Sequence, residues 1–267
     1  MVQKMTKMCK INEIIKSTQE DIIIGEFAGR DSVAAILKAL ESESVRTILP
    51  VASFSPTEYG NFESLEHNYM HMLERVERLY GNEKTILPLL YHSNPDLWSV
   101  INGRYVDFLN KKFGFYTPCI GCHAYLHLLR IPLSLKLGKK IISGERESHD
   151  GRIKVNQTAE SLDTYKRIAE YFGSEILMPI RYINDGNEVE ELIGWEWDEG
   201  KGHQSCVFSG NYSCPNGTVD YMKKNTIEYL EKFLYPSCIA LGELIIEDED
   251  ATREKMIRTL KDRGVIL

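Results

Sequence analysis

Two cysteines separated by two residues form the clearest chemical pattern in the sequence, in the stretch PCIGC at residues 118–122. Sulfurs at this spacing can turn toward one metal ion or iron–sulfur cluster, or can form a redox-active disulfide. The pair follows a third predicted strand and a helix, which is unlike a thioredoxin motif. Two sulfurs do not complete a tetrahedral site, and the candidates for further ligands are His123, Cys206 and Cys214. The alternative is a pair of buried free thiols.

The stretch GEFAGRDS, residues 25–32, joins a run of three isoleucines to a helical pattern. Small residues let backbone N–H groups approach an anion, and the N-terminus of a helix adds a favourable dipole. The stretch has neither the Gly-Lys-Ser/Thr of a Walker loop nor the GxGxxG of a dinucleotide site. It therefore indicates either a phosphate-binding loop or a strand-to-helix turn capped by Asp31 or Ser32.

A third polar stretch, ISGERESHDGRIKVNQT at residues 142–158, follows another predicted strand. Gly144 and Glu145 stand at the end of that strand, where backbone groups can contact a nucleotide. Charged side chains for a phosphate or a metal follow in the loop, namely Arg146, His149, Asp150 and Arg152. Taken alone, this pattern is also typical of a solvated loop.

In order and spacing, the three stretches resemble the motifs of the PP-loop ATPases, in particular the sulfurtransferases that thiolate tRNA. AGRDS is similar to the SGGxDS loop of that superfamily, since Gly29, Asp31 and Ser32 match. Phe27 and Ala28 stand where the family has serine and glycine. PCIGC is similar to the PCxxC motif of these sulfurtransferases. Residues 142–158 are similar to the family's later motif, in which a strand end is followed by a nearby QT. Cys206 or Cys214 would correspond to the downstream cysteine that completes the family's set of three. The resemblance extends over roughly residues 20–235.

The resemblance implies an ATP-dependent sulfurtransferase that adenylates a carbonyl-type substrate, with ATP, Mg²⁺ and a [4Fe–4S] cluster. It implies Cys119, Cys122 and Cys206 as cluster ligands, with Cys214 as the other candidate for the third. The catalytic residues that it implies are Asp31, Ser32 and Cys214. The nucleotide-binding residues that it implies are Phe27, Ala28, Gly29, Arg30, Asp31, Ser32, Ala52, Gly144 and Glu145. The alternatives are a zinc-containing ligase that forms amides or nitriles, and a non-catalytic nucleotide-binding module.

The charge balance bears on the partner of such an enzyme. The 267 residues carry a net charge of −7, so the chain has no general electrostatic attraction to nucleic acid. This disfavours tRNA as the sulfur acceptor and favours a small molecule or another non-RNA acceptor. A homodimer is compatible with the sequence. Without an apolar run of about 18 residues or a signal-peptide pattern, we expect a cytoplasmic protein without a membrane span.

Strands that alternate with helices must position these stretches. They predict an α/β fold, a doubly wound, mainly parallel five-stranded sheet with helices on both faces, similar to the adenine nucleotide alpha hydrolases. The predicted strands are 21–27, 45–54, 84–92, 138–145 and 175–183. The predicted helices are 10–18, 32–40, 64–79, 97–113, one from about 122, 160–172, 219–234 and 251–263. We expect one domain over residues 1–250, in which 195–217 is irregular and carries two cysteines, followed by a C-terminal helical segment, 251–267.

Two cysteines and two histidines lie outside these motifs. Cys9 has no partner nearby in sequence, and Cys238 lies in the apolar stretch LYPSCIALGELII, which predicts a packed core thiol. His67 and His71 are four residues apart on one predicted helix, a spacing that can bind a metal, although no HExxH motif is present.

Overall fold

The structure is a computed structural model. It describes residues 22–60, 62–147, 149, 151–197, 204–216, 219 and 221–266. The predicted helix at 10–18 and the prediction for Cys9 lie outside these residues.

A parallel sheet forms the centre of the molecule. Its strands are β1 (Ile22–Glu26), β2 (Thr47–Ser53), β4 (Thr85–Ile86), β5 (Leu90–His92), β6 (Lys140–Ile142) and β7 (Glu175–Leu177). A separate antiparallel ribbon pairs β3 (Glu58–Tyr59) with β8 (Ser205–Cys206). Among the described residues the parallel sheet has the order β4-β2-β1-β6-β7, with β5 also paired to β2. The prediction of a mainly parallel sheet is confirmed, but the sheet has six strands rather than the predicted five.

Two predicted strands are shorter or more broken than their apolar pattern suggests. The stretch 84–92 divides into β4 and β5, which both pair with β2. Pro88 lies between them and has no N–H to donate to a ladder. The stretch 175–183 keeps its pairing only to Leu177, and Pro179 begins a turn immediately afterwards.

The helices follow the strands along the chain. They are α1 (Arg30–Leu40), α2 (Glu63–Tyr80), α3 (Pro95–Trp98), α4 (Val106–Phe113), α5 (Pro118–Leu135), α6 (Ala159–Tyr171), α7 (Gly186–Ile193), α8 (Lys223–Tyr229), α9 (Tyr235–Glu247) and α10 (Arg253–Asp262). Among the described residues, no helix is both long enough and apolar enough to cross a membrane.

Three predicted helices differ from the structure in their limits, and a fourth helix was not predicted. The helix predicted at 97–113 contains a π-helical turn at Ser99–Gly103, which separates α3 from α4. The one predicted at 219–234 starts at Lys223 and continues, through a π-helical turn at Leu230–Leu234, into α9. α5 starts at Pro118, because proline suits the first turn of a helix. The stretch that forms α7 was predicted as neither helix nor strand.

The sheet is covered by helices on both faces. Side chains along β1 alternate: Ile23 packs into a core with α1, α2 and α7, whereas Ile22 and Ile24 pack into a second core with α5, α6 and α9. Cys238 is fully buried in the second core, which confirms its prediction as a core thiol. Because all the strands of this sheet are parallel, the loops after β1, β2 and β6 meet at one edge, where parallel sheets bind ligands.

Candidate functional site

The loop after β1 makes a compact turn into α1. The N–H groups of Ala28 and Gly29 donate hydrogen bonds to Ser32 Oγ, at 2.9 and 3.0 Å. That hydroxyl donates in turn to the carbonyl oxygen of Gly29, at 2.7 Å. The N-cap residue is Gly29, and Ser32 caps its N–H from the first turn of the helix. The prediction that Asp31 or Ser32 caps this helix is therefore confirmed for Ser32.

The end of β6 packs directly against the start of α1. A Cβ atom at Gly144 would lie 2.4 Å from the backbone nitrogen of Ser32 and 2.6 Å from the carbonyl carbon of Asp31. Real Cβ atoms do not approach backbone this closely, so only glycine fits here. Gly144 therefore brings the segment after β6 against the loop after β1.

Asp31 links the same two segments through a buried arginine. Its carboxylate accepts a hydrogen bond from Arg146 Nε at 3.0 Å, and the Arg146 side chain is 1% exposed. The guanidinium also donates to the carbonyl oxygens of Ile183 and Asn184 and to Nδ1 of His149. Arg146 is therefore fully used in holding the loops together, and its charge is balanced by Asp31.

A second buried ion pair lies beneath the loop, at the end of β1. Glu26 accepts hydrogen bonds from Ser143 Oγ at 2.6 Å and from the N–H of Gly144 at 3.2 Å. The fully buried Arg130 lies 3.5 Å from its other oxygen and donates to Ser53 Oγ. Burial and the nearby Glu145 would raise the pKa of Glu26, but Arg130, His127 and the hydrogen bond from Ser143 together outweigh them and hold the pKa below the usual value. Glu26 is thus a carboxylate at neutral pH.

An open cavity of about 390 Å³ lies over these loops. Among the residues that line it are all nine nucleotide-binding candidates: Phe27, Ala28, Gly29, Arg30, Asp31, Ser32, Ala52, Gly144 and Glu145. We call this space the loop cavity. The structure thus brings together residues from the ends of three parallel strands.

A neighbouring cavity of about 250 Å³ is lined by Cys119, Cys122 and Cys206, and we call it the thiol cavity. The indole of Trp98 donates to Cys122 Sγ at 3.4 Å, and Cys206 Sγ lies 3.4 Å from the hydroxyl of Thr57. The first two cysteines lie in the first turns of α5, and the third lies on β8. Cys214 lines neither cavity.

The thiols of Cys119 and Cys122 are protonated at neutral pH. Burial raises the pKa of Cys119 to about 11 and that of Cys122 to about 12. Within the described residues, no three Cys, His, Asp or Glu side chains are arranged as a ready metal site. A bound metal would have to draw the thiols together and deprotonate them, and binding would release protons.

Four side chains line both cavities and form the wall between them: Glu58, His123, Lys154 and Gln157. Burial raises the pKa of Glu58. Burial also lowers the pKa of Lys154, against the opposing effect of Asp31. Among the described residues, the ammonium group of Lys154 has no hydrogen-bond partner, although the carboxylates of Asp31 and Glu145 attract it. The wall thus offers a cation between the loop and the thiols.

A buried carboxylate fixes the imidazole of this wall. Glu145 accepts from His123 Nδ1 at 2.7 Å, from His127 Nε2 at 3.1 Å and from the amide of Gln157 at 2.5 Å. Burial would raise the pKa of Glu145, but the two histidines hold it well below the usual value. Burial would lower the pKa of His123, yet Glu145 raises it. Glu145, which sequence reasoning assigned to a nucleotide, is therefore fully occupied by protein groups.

Comparison with known proteins adds a relative but no established activity. No family model matches the chain. It is 45% identical over 221 residues to a protein of Methanocaldococcus jannaschii named uncharacterized protein MJ0009, and the match covers 83% of this chain and 79% of the relative. The chain belongs to the same family as MJ0009.

For this MJ0009 family member, sequence reasoning named His123 of the wall as a candidate metal ligand, but it assigned neither the wall as a whole nor the buried ion pair of Glu26 and Arg130. The sequence did contain a pattern that could have indicated part of this site. His123, His127 and Arg130 are spaced four and three residues apart in α5 and therefore share one face of the helix. Glu58 and Lys154 had no such signal, because they come from a two-residue strand and an irregular segment.

The buried His149 makes folding sensitive to acid. Burial, with help from the charges of Lys154 and Arg146, lowers its pKa to about 4. An unfolded chain has a histidine pKa of about 6.5 and takes up the proton first, so stability falls as the pH drops from about 6.5 to about 4. At pH 5 we expect a loss of about 2 kcal/mol relative to pH 7 from this group. Urea unfolding at the two pH values measures it.

The matched variant for this experiment is His149→Gln, which keeps a hydrogen-bond acceptor for Arg146 but does not titrate. Its stability should fall less between pH 7 and pH 5 than that of the wild-type protein. If both proteins lose the same stability over this window, His149 is not the group that takes up the proton.

Proposed function

We propose that this protein is an ATP-binding PP-loop enzyme, with a fold of the adenine nucleotide alpha hydrolase type, that adenylates a carbonyl-type substrate and transfers sulfur to it. The observation that carries the proposal is the adjacency of the two cavities. The residues that match the nucleotide motif line the loop cavity, the three matching cysteines line the thiol cavity, and a single wall separates them. In a sulfur-transfer reaction, the adenylated substrate and the sulfur donor must meet, and two cavities that share one wall allow this.

The loop cavity provides groups that suit a triphosphate. The N-terminus of α1 opens into it and offers the positive end of a helix dipole. Because the N–H groups of Ala28 and Gly29 are held by Ser32, the lining cations Lys154 and Arg152 must contribute much of the phosphate binding. The carboxylates of Glu26 and Asp31 are oxygen ligands of the kind that Mg²⁺ prefers.

The thiol cavity suits a soft metal centre, because three thiols are its main potential ligands. Cys119, Cys122 and Cys206 would hold a [4Fe–4S] cluster, and zinc is the alternative. Such a centre supplies a position where sulfur stays deprotonated near neutral pH. Cys214 is disfavoured as the third ligand because it lines neither cavity.

The reaction would join these two sites through the wall. The carbonyl oxygen of the substrate forms a bond to the α-phosphorus, and pyrophosphate leaves. Sulfur then bonds to the activated carbon, and AMP departs with the oxygen. The ammonium group of Lys154, between the two cavities, can stabilise the charge that develops on the phosphoryl group. A small acceptor rather than tRNA agrees with the net charge of −7.

Isothermal titration calorimetry with ATP and Mg²⁺ tests this proposal. We expect wild-type protein to bind ATP more tightly than AMP, since AMP lacks the pyrophosphate. Lys154→Met should weaken ATP binding by about 10-fold or more, the typical effect of removing a hydrogen bond to a charged group. The matched control is Lys140→Met, because Lys140 is exposed at the opposite end of β6 and should not affect binding.

Two results would change the proposal. If ATP produces no binding heat, or if Lys154→Met binds like the wild-type protein, the loop cavity is not the nucleotide site described here. If ATP binds but no pyrophosphate is released with any acceptor tested, the protein is better described as a nucleotide-binding module.

A further inference from the structure

A pair of imidazoles lies on the solvent side of α2, outside both cavities. His67 and His71 are one helical turn apart, and their Nε2 atoms converge to 3.0 Å. The rings are nearly perpendicular, at 83°, with centroids 4.6 Å apart. A spacing of four residues on a helix permits the two rings to meet, and in the structure they do.

Neighbouring side chains support this arrangement. The indole of Trp195 stacks on the ring of His71, with centroids 5.6 Å apart and an angle of 24°. Trp195 is itself fixed by a hydrogen bond from its Nε1 to the buried Asn68, which lies on α2 between the two histidines. The His71 ring therefore has a packed face and an edge directed at His67.

The distance between the two nitrogens is suited to chelation. With metal–nitrogen bonds of about 2.0–2.1 Å, nitrogens 3.0 Å apart subtend an angle of about 91–97° at a shared ion. This is close to the angle between neighbouring ligands in the tetragonal geometry that Cu²⁺ and Ni²⁺ prefer, and imidazole is a suitable ligand for both. Apart from these two histidines, no further metal-binding side chain joins them among the described residues.

We propose that His67 and His71 form a surface site for a divalent transition-metal ion of the Cu²⁺ and Ni²⁺ class. Two Nε2 atoms bind the ion, and water completes its coordination. The site stands apart from the proposed nucleotide and thiol chemistry, because none of its residues lines either cavity. Trp195 stacks on His71 and is therefore close enough for its fluorescence to be quenched by an ion bound at this site.

Ni²⁺ titration followed by tryptophan fluorescence tests this site. Ni²⁺ is used because Cu²⁺ oxidises thiols. Trp98 contacts Cys122 and would report metal at the thiols instead, so the titration is done in a Trp98→Phe background. There we expect saturable quenching of the remaining tryptophans, and a rise in Tm with Ni²⁺.

The variants His67→Gln and His71→Gln should each weaken Ni²⁺ binding by at least about 10-fold. The matched control is Met70→Gln, an exposed position on the same turn, which should bind Ni²⁺ as before. Circular dichroism checks that each variant is folded. The proposal is overturned if quenching is absent, or if it persists unchanged in both histidine variants, in which case the 3.0 Å contact is only a hydrogen bond between the rings.

Discussion

Gly144→Ala is expected to destabilise the protein by about 3 kcal/mol or more and to abolish ATP binding, because the new Cβ would overlap the backbone of α1. The atoms it meets, the nitrogen and Cα of Ser32, lie only 2.4 and 2.5 Å from the Cβ position, and neither belongs to a flexible side chain. To relieve the overlap, the loop after β1 must move away from β6. Urea unfolding measures the loss of stability, and ATP calorimetry measures the loss of the site.

The matched control is Gly103→Ala in the π-helical turn. A Cβ atom there would have only the side chain of Trp98 near it, at an ordinary contact distance of 3.4 Å. This variant should keep both stability and ATP binding. If Gly144→Ala unfolds and binds ATP like Gly103→Ala, the close approach of β6 to α1 is not a requirement of the fold or of the site.

Removing a thiol from the thiol cavity is expected to remove the metal entirely. Anaerobically purified wild-type protein should be brown and contain iron, as proteins with thiolate-ligated clusters are. Cys206→Ala and Cys119→Ala should be colourless and nearly free of iron, because the remaining two thiols cannot hold a cluster. Elemental analysis and visible absorbance measure both effects.

Cys214→Ala is the matched control, since Cys214 lies close to Cys206 in sequence but lines neither cavity. It should keep the wild-type iron content. A loss of iron in Cys214→Ala but not in Cys206→Ala would reverse the assignment of the third ligand. One zinc per chain and no iron would support the zinc-containing ligase instead.

The part of the fold that local patterns determine was predictable. β1 and α1 follow from three isoleucines, a small-residue turn and a helical repeat, and each was predicted within two residues. The π-helical turn at Ser99–Gly103 was not predictable, because its role is tertiary. It presents the buried Asn102 to α5, where a Cβ atom at Gly121 would lie only 2.2 Å from Asn102 Oδ1.

Motif order located the candidate site better than it described the contacts within it. The residues that match the nucleotide motif gather in one cavity because parallel strands place their following loops at one edge. The same motif could not show that Arg146 and Ser32 are committed to holding the loops. Nor could it show Lys154 between the cavities, since its position depends on how an irregular segment returns over the sheet.

A crystal structure of anaerobically purified protein soaked with ATP and Mg²⁺ tests the central claim most directly. We expect the phosphates at the N-terminus of α1, in contact with Lys154, and anomalous scattering from a metal between Cys119, Cys122 and Cys206. Nucleotide bound away from the loop cavity, or a loop cavity that stays empty at saturating ATP, would contradict the account.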